Sequence, residues 1–254
     1  MSSEFAIIVP ARIGSTRFPQ KLLHEVHGKP VILWTAERIR REAPEFPLWF
    51  AVDHDRLREP LEAAGFRVLL TSPDHACGTD RIAEANRTIG APFVINVQAD
   101  EPLVTGAQIR QLAELIRRPE VDMATLGTPL KYARDYENPN HVKCLANEQG
   151  LAITFSRAPI PYFRDENGVF NPERAAAVPV LIHLGLYAYR RERLEEFASL
   201  PPGRLEQIER LEMLRVVEKG WRIALGVTHD ALIEIDTPQQ AAEFEAAVKE
   251  HFNA

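Results

Sequence analysis

Along the chain, short runs of consecutive apolar residues alternate with stretches whose apolar positions recur every three or four residues. The runs "FAIIVP" (5–10), "LWFAV" (48–52), "FRVLLT" (66–71), "FVINV" (93–97) and "DMATLG" (122–127) predict strands. Segments near 31–42, 55–64, 80–89 and 106–117 predict amphipathic helices between them. Strands that are apolar on both faces and separated by helices describe a parallel sheet covered on each side. The expected fold is α/β, doubly wound around a mostly parallel sheet, with ligands outside the carboxyl ends of the strands.

Beyond residue 130 the rhythm changes. "HVKCLAN" and "LAITFSRAPIPYF" predict strands without crossover helices, a Pro-, Arg- and Asn-rich loop follows at 161–179, and "VLIHLGLYAYR" predicts another strand. This middle section reads as an antiparallel insertion. The α/β pattern then resumes, with helices near 190–199 and 206–219, strands "WRIALGV" and "LIEID", and a closing helix from 238. Both flanks read as parts of one sheet. One domain over 1–254 is therefore expected, with an embedded subregion at about 130–190.

Composition narrows the class without deciding it. The 254 residues are 45% hydrophobic and 26% charged, enough for an ordinary globular core. A formal charge of −6 argues against general nucleic-acid binding. No window has the roughly eighteen consecutive apolar residues of a membrane span. "MSSEFAIIVP" lacks the zones of a signal peptide. A cytoplasmic protein without membrane or nucleic-acid partners is expected. Cys77 and Cys144 offer neither a disulfide framework nor metal-ligand spacing, and the eight histidines are scattered.

The chemistry begins in "VPARIGSTRFPQK" (9–21), where Arg12, Arg17 and Lys21 crowd one loop with Gly14 and Ser15 between them. Cations this close repel one another unless something anionic sits among them; the plain alternative is a solvated loop. Two strand ends resemble each other, "FVINVQADEP" and "ALIEIDTP", and place Asp100 and Asp236 each two residues before a proline. If both strands are parallel members of one sheet, both carboxylates emerge on the edge where the basic loop emerges. Helix capping falls to Thr237 with Gln240 and to Thr105 with Gln108, which leaves the two aspartates without that task. Cations facing paired carboxylates suggest a nucleoside triphosphate held with Mg²⁺. Neither G-x-x-x-x-G-K-[ST] nor G-x-G-x-x-G follows the first strand, which disfavours P-loop and dinucleotide readings.

The segments "IIVPARIGSTRFPQKLL", "TSPDHACGTDRIAEA", "FVINVQADEPLV", "FSRAPIPY", "HLGLYAYRRE", "LEQIERLEMLRVVEKGWRI" and "IEIDTP" together resemble, in order, those of the 3-deoxy-manno-octulosonate (Kdo) cytidylyltransferases, or CMP-Kdo synthetases. The resemblance covers nearly the whole chain and implies a nucleotidyltransferase-like fold. It implies transfer of CMP from CTP to the anomeric hydroxyl of Kdo, with release of pyrophosphate, for lipopolysaccharide biosynthesis. It also implies a homodimer built partly from the middle insertion.

Residue by residue, the resemblance places Ala11, Arg12, Ser15, Arg17 and Lys21 along the nucleotide, with Arg12, Ser15 and Lys21 at the triphosphate. Cys77, Gly78 and Thr79 fall in the loop that approaches the cytosine, and Asp100 and Asp236 at the Mg²⁺ ligands. Gln98, Arg157, His183, Tyr187 and Glu212 fall around the sugar acid. Arg12, Lys21, Asp100 and Asp236 are the expected catalytic residues.

Some positions depart from the family pattern. Ala99 stands for Gly, Cys77 for Ser, Met213 for Gln, and Val52 and His54 flank Asp53 in place of Thr and Asp. Met213 would remove an amide from the sugar side, so an amino-substituted Kdo is an alternative substrate. A nine-carbon sialic-type acid, a sugar 1-phosphate or a non-catalytic nucleotide-binding regulator are others. Taken alone, His183 reads as a core histidine, Arg157 as the partner of a nearby acid, and one of Tyr187 and Tyr189 as core packing.

Overall fold

The computed structural model of the chain describes residues 4–252 apart from 16, 179 and 231–233. The chain packs as two compact units, one running to Arg110 and resuming at Ala231, the other Gln111–Asp230. In the first lie β1 (Phe5–Ala11), the ribbon β2 (Glu25–Val26) and β3 (Lys29–Pro30), α1 (Val31–Glu42) and β4 (Leu48–Val52). There follow α2 (Asp55–Ala63), β5 (Arg67–Leu70), α3 (Gly78–Ile89), β6 (Phe93–Asn96) and the start of α4 (Gly106–Ile116). β1 pairs in parallel with both β4 and β6, and β4 in parallel with β5, giving the order β6-β1-β4-β5. Every residue of β1 is buried, as an uninterrupted apolar run at the centre of a parallel sheet requires. α1 covers the sheet through Val31, Ile32, Thr35, Ala36 and Ile39, a helical stripe that is fully buried.

The second unit holds β7 (Met123–Pro129), α5 (Ala133–Glu137), β8 (Lys143–Ala146), β9 (Ala152–Ser156), α6 (Pro172–Ala177) and β10 (Val180–Arg190). It continues with α7 (Arg191–Ser199), α8 (Arg204–Glu209), α9 (Met213–Val217) and β11 (Ile223–Val227). β7 pairs in parallel with β11 and antiparallel with β10, while β8 pairs antiparallel with β10 and β9. The last helix, α10 (Pro238–Phe252), belongs to the first unit. The fold is thus mixed α/β, with mostly parallel strands and an antiparallel group in the middle of the chain, as the pattern predicts.

Several predicted elements differ in detail. The strand expected over "LAITFSRAPIPYF" ends at Ser156, because Pro159 and Pro161 bring no N–H donor to a ladder. The loop expected at 161–179 contains a short 3₁₀ turn and α6, capped by Asn171, whose side chain accepts from the N–H groups of Glu173 and Arg174. Phe163 and Phe170 from that stretch pack on Tyr136 in a buried aromatic cluster. The helix expected over 206–219 is broken into α8 and α9 at Arg210, which turns left-handed at φ 55°. The pair of buried Arg215 with half-buried Glu206, held by two hydrogen bonds of 2.8 and 2.7 Å, ties the two pieces together. Of the expected strand "LIEID", residues 232 and 233 lie outside the described residues, and Glu234–Asp236 are not in a strand. The 234–236 segment is tied down by a hydrogen bond from the Ile235 N–H to the Asp100 carbonyl, at 3.0 Å.

Candidate active site

A cleft of about 400 Å³ opens in the first unit at the carboxyl ends of β1 and β6. Into it come Arg12, Ser15, Arg17 and Lys21 from the loop after β1, and Gln98, Ala99 and Asp100 from the turn after β6. His75, Cys77 and Gly78, before and at the start of α3, line it too, as do Glu234 and Asp236 ahead of α10. Asp100 arrives with the loop that follows β6, a parallel neighbour of β1, whereas Asp236, outside any strand, is brought in by the hydrogen bond from the Ile235 N–H to the Asp100 carbonyl.

The loop from 12 to 20 is held by its own backbone and by short side-chain contacts. The Lys21 N–H donates to the Phe18 carbonyl at 3.1 Å, and the Ser15 hydroxyl donates to the same oxygen. The turn carrying Asp100 is fixed from beneath, where the buried Thr35 hydroxyl of α1 donates to the Ala99 carbonyl at 2.8 Å. Asp236 is braced by the α10 cap: the Gln240 N–H donates to Thr237 Oγ1 at 3.2 Å, and Gln240 Oε1 accepts from the Asp236 N–H at 3.0 Å. The predicted capping task of Thr237 is therefore observed, and so is that of Thr105, whose N–H and Oγ1 exchange hydrogen bonds with Gln108. The carboxylates of Asp100 and Asp236 are left for the cleft.

Those carboxylates face cations. Lys21 Nζ donates to both Asp100 and Asp236, and Arg17 Nη2 donates to Asp236. The charges of Arg17 and Lys21 are thus balanced within the protein by Asp100 and Asp236. Glu234 adds a third carboxylate: one oxygen each from Asp100, Glu234 and Asp236 lie within 4.8 Å of one another. Burial, then the charges of Asp100 and Asp236, push Glu234 up to about 8. Burial acts in the same direction on Asp236, but hydrogen bonds and charge from Lys21 outweigh it and hold that carboxyl below its ordinary value. For Lys21, burial favours the neutral amine, yet Asp100 and Asp236 raise the ammonium above its usual range. Glu101 lies behind them, 3% exposed, with Oε2 lacking a hydrogen-bond partner among the described residues. Burial, then repulsion from Asp100 and Glu234, raise its carboxyl well above the ordinary carboxylate range.

The cleft brings together ten of the predicted residues: Ala11, Arg12, Ser15, Arg17, Lys21, Cys77, Gly78, Gln98, Asp100 and Asp236. Thr79 is fully buried in the first turn of α3 and does not line it. A Cβ at Gly78 would sit 3.3 Å from Pro10 Cγ, so the small residue permits close approach of α3 to β1. Glu234, His75 and Arg81 also line the cleft and were not singled out by sequence reasoning. Glu234 carried a usable signal, two residues before Asp236 in "IEID". His75 binds Glu84, which also accepts the Ser72 N–H at 3.1 Å and so braces the loop ahead of Cys77.

The remaining predicted residues belong to the second unit. Arg157 donates from Nε to the Glu209 carbonyl at 2.7 Å and from Nη1 to the Pro139 carbonyl at 2.9 Å. His183 Nε2 lies 2.9 Å from the Thr125 hydroxyl, and desolvation lowers the imidazole to about 3, so the ring is neutral. Tyr187 and Tyr189 are both buried, at 4% and 0% exposure. The expectation that only one faces the core is corrected by the period of a strand, in which residues two apart share a face. Glu212 is half-buried at the start of α9, and Met213 beside it is packed at 3% exposure.

The family model described as "Cytidylyltransferase" matches residues 6–223. The chain belongs to the cytidylyltransferase family. It is 43% identical over 234 residues to a Geobacter sulfurreducens protein named 3-deoxy-manno-octulosonate cytidylyltransferase, covering 91% of this chain and 94% of that one. It is 40% identical over 238 residues to a Shewanella sediminis protein named 8-amino-3,8-dideoxy-manno-octulosonate cytidylyltransferase, covering 92% and 94%. A solved structure described as CMP:2-keto-3-deoxy-manno-octonic acid synthetase complexed with CTP superposes with a TM-score of 0.88 at 34% identity, covering 98% of this chain and 99% of that one. This cytidylyltransferase is accordingly a nucleotidyltransferase enzyme.

Proposed function

We propose that the enzyme transfers CMP from CTP to the anomeric hydroxyl of Kdo, giving CMP-Kdo and pyrophosphate for lipopolysaccharide biosynthesis. The observation that carries this reading is the cleft itself, where the cations of one loop meet Asp100, Asp236 and Glu234 in a chain of this family. The reaction forms a bond from the sugar oxygen to the α-phosphorus and breaks the α–β phosphoanhydride. It needs positioning and charge neutralisation, with no covalent intermediate on the protein.

In this reading Arg12, Ser15, Arg17 and Lys21 hold the triphosphate, and Arg12 and Lys21 stabilise charge on the departing pyrophosphate. Ala11, Cys77 and Gly78 lie along the nucleoside, and buried Thr79 supports that loop from within α3. Three clustered carboxylate oxygens are a hard donor set that suits Mg²⁺. Asp100 and Asp236, joined by Glu234, would hold it, and when bound it polarises phosphate oxygens and acidifies a coordinated hydroxyl. Lys21 would leave the two aspartates for the phosphates as the nucleotide enters.

Gln98, Arg157, His183, Tyr187 and Glu212 are proposed to contact the sugar acid, with Arg157 at its carboxylate because a guanidinium matches that group. Arg157→Ala should raise the KM for Kdo at least about tenfold, the scale of one lost charged hydrogen bond, and leave the KM for CTP unchanged. We further propose a cytoplasmic homodimer without membrane or nucleic-acid partners. Ile153, Tyr162 and Val169 in the second unit, exposed at 57%, 69% and 65%, support self-association, which light scattering would read as twice the chain mass. No helix among the described residues is long and apolar enough to cross a membrane.

The deciding experiment is pyrophosphate release from CTP with Kdo, 8-amino-Kdo and a sialic acid offered separately, with Mg²⁺ and after chelation. Kdo-dependent release that is abolished by chelation is expected. The amino sugar is the second reading, favoured by the similarity to the Shewanella enzyme, and preferential turnover of it would replace Kdo.

A further inference from the structure

The parallel ladder between β1 and β4 ends at the pair Ala11↔Val52. One step later the chain leaves the sheet through Arg12, and the Ile13 N–H has no strand to donate to. It donates instead to Asp53 Oδ1, at 2.8 Å. Asp53 is the first residue after β4, so its side chain extends the ladder by one rung. An aspartate between a strand and a helix is usually read as the helix cap. Here that task is taken by His54, whose Nδ1 accepts the Arg56 N–H at 3.1 Å.

The second oxygen of Asp53 faces Arg81 Nη2 at 3.5 Å. Arg81 is 3% exposed and lines the cleft. Its Nη1 donates to the Thr71 hydroxyl, which donates in turn to the Val52 carbonyl at 3.0 Å. Burial and the like charge of Arg12 both disfavour the Arg81 cation, and Asp53 and Glu84 counter them only in part. Arg12 is thus bracketed: Ala11 is fixed by the ladder and Ile13 by Asp53.

We infer that Asp53 is a positioning residue for nucleotide binding, which aims Arg12 by anchoring the Ile13 amide. The inference rests on the reading of the loop as the CTP phosphate site.

The test compares wild type, Asp53→Ala and Asp53→Asn by calorimetric titration with CTP, with thermal melting and the KM for Kdo measured alongside. Asparagine keeps an oxygen for the Ile13 N–H while presenting its NH₂ across the longer contact to Arg81. The alanine variant should bind CTP about tenfold more weakly, and the asparagine variant within about threefold of wild type, as expected for loss and retention of one anchoring hydrogen bond. The KM for Kdo should not move. A folded alanine variant with wild-type CTP affinity overturns the inference, as does an asparagine variant as weak as alanine. If the alanine variant does not fold, the asparagine variant decides: a normal melt with CTP affinity within threefold supports the anchor, and a tenfold loss overturns it. A wild-type chain that fails to bind CTP would sink the functional reading together with the inference, whereas the other failures leave that reading standing.

Discussion

Lys21 places its ammonium between the carboxylates of Asp100 and Asp236, two of the three that cluster with Glu234. At the proposed metal site the ammonium and a metal ion would compete for the same carboxylates, so removing Lys21 should favour the metal. Lys21→Met is expected to bind Mn²⁺ about tenfold more tightly than wild type in the absence of nucleotide, about 1.4 kcal/mol, while its CTP affinity falls. Titration followed by electron paramagnetic resonance reads the first effect and calorimetry the second; unchanged Mn²⁺ affinity would mean the ammonium does not guard the site. Asp100→Asn and Asp236→Asn each keep the side-chain shape and remove one charge. Turnover should drop about 100-fold or more in each, the scale of losing one transition-state charge stabiliser, with the melting temperature little changed. Near-normal rates at saturating Mg²⁺ would remove that residue from the proposed metal site.

At the scale of the element, α10 does more than close the first unit. Its cap residue Thr237 accepts the Gln240 N–H, and the Gln240 side chain accepts the Asp236 N–H, so the helix start and the site carboxylate share one small network. Thr237→Ala should cost about 1 kcal/mol of stability, as for other lost caps, and should also lower turnover because the Asp236 backbone loses its brace. Thr237→Ser retains the hydroxyl and should restore both. Denaturant unfolding and steady-state rates measured on the same preparations separate the two effects. A stability loss with unaltered turnover would confine the network to capping.

For the whole molecule, the acidic cluster couples folding to pH. The folded protein holds the Glu234 proton far more tightly than an unfolded chain would, with its pKa raised from 4.5 to about 8 by burial and by Asp100 and Asp236. Its contribution to stability is therefore complete below about pH 4.5 and is lost as pH rises through about 8. In chelator, thermal melts should show stability falling across that window, and Glu234→Gln should flatten the fall. Added Mg²⁺ should counter it by taking up the charge that the proton no longer neutralises. Melts of the wild type and Glu234→Gln that run parallel would show that Glu234 titrates alike in the folded and unfolded chain.

Much of this was written in the linear pattern. Uninterrupted apolar runs such as "LWFAV" mark strands buried on both faces, and the predicted bounds of β4, α1 and β10 coincide with those observed. Local chemistry also reads directly: a threonine cap needs only its own next three residues, and the Arg12–Lys21 loop and the "ADEP" and "IDTP" ends could be singled out from spacing alone. The breaks in "LAITFSRAPIPYF" and at Arg210 were less legible, since they depend on which donors find partners and on a left-handed residue that is not glycine. What no stretch of sequence contains is the meeting of its parts. Lys21 lies 79 residues from Asp100 and 215 from Asp236, and Ile13 lies 40 from Asp53. The parallel sheet, by sending the loops after β1, β4 and β6 to one edge, makes neighbours of Ile13, Lys21, Asp53 and Asp100, and Asp236 joins them through the Ile235–Asp100 backbone hydrogen bond. That convergence decides that the loop's cations rest on the site's own carboxylates, that Glu234 joins them, and that burial among like charges holds its proton.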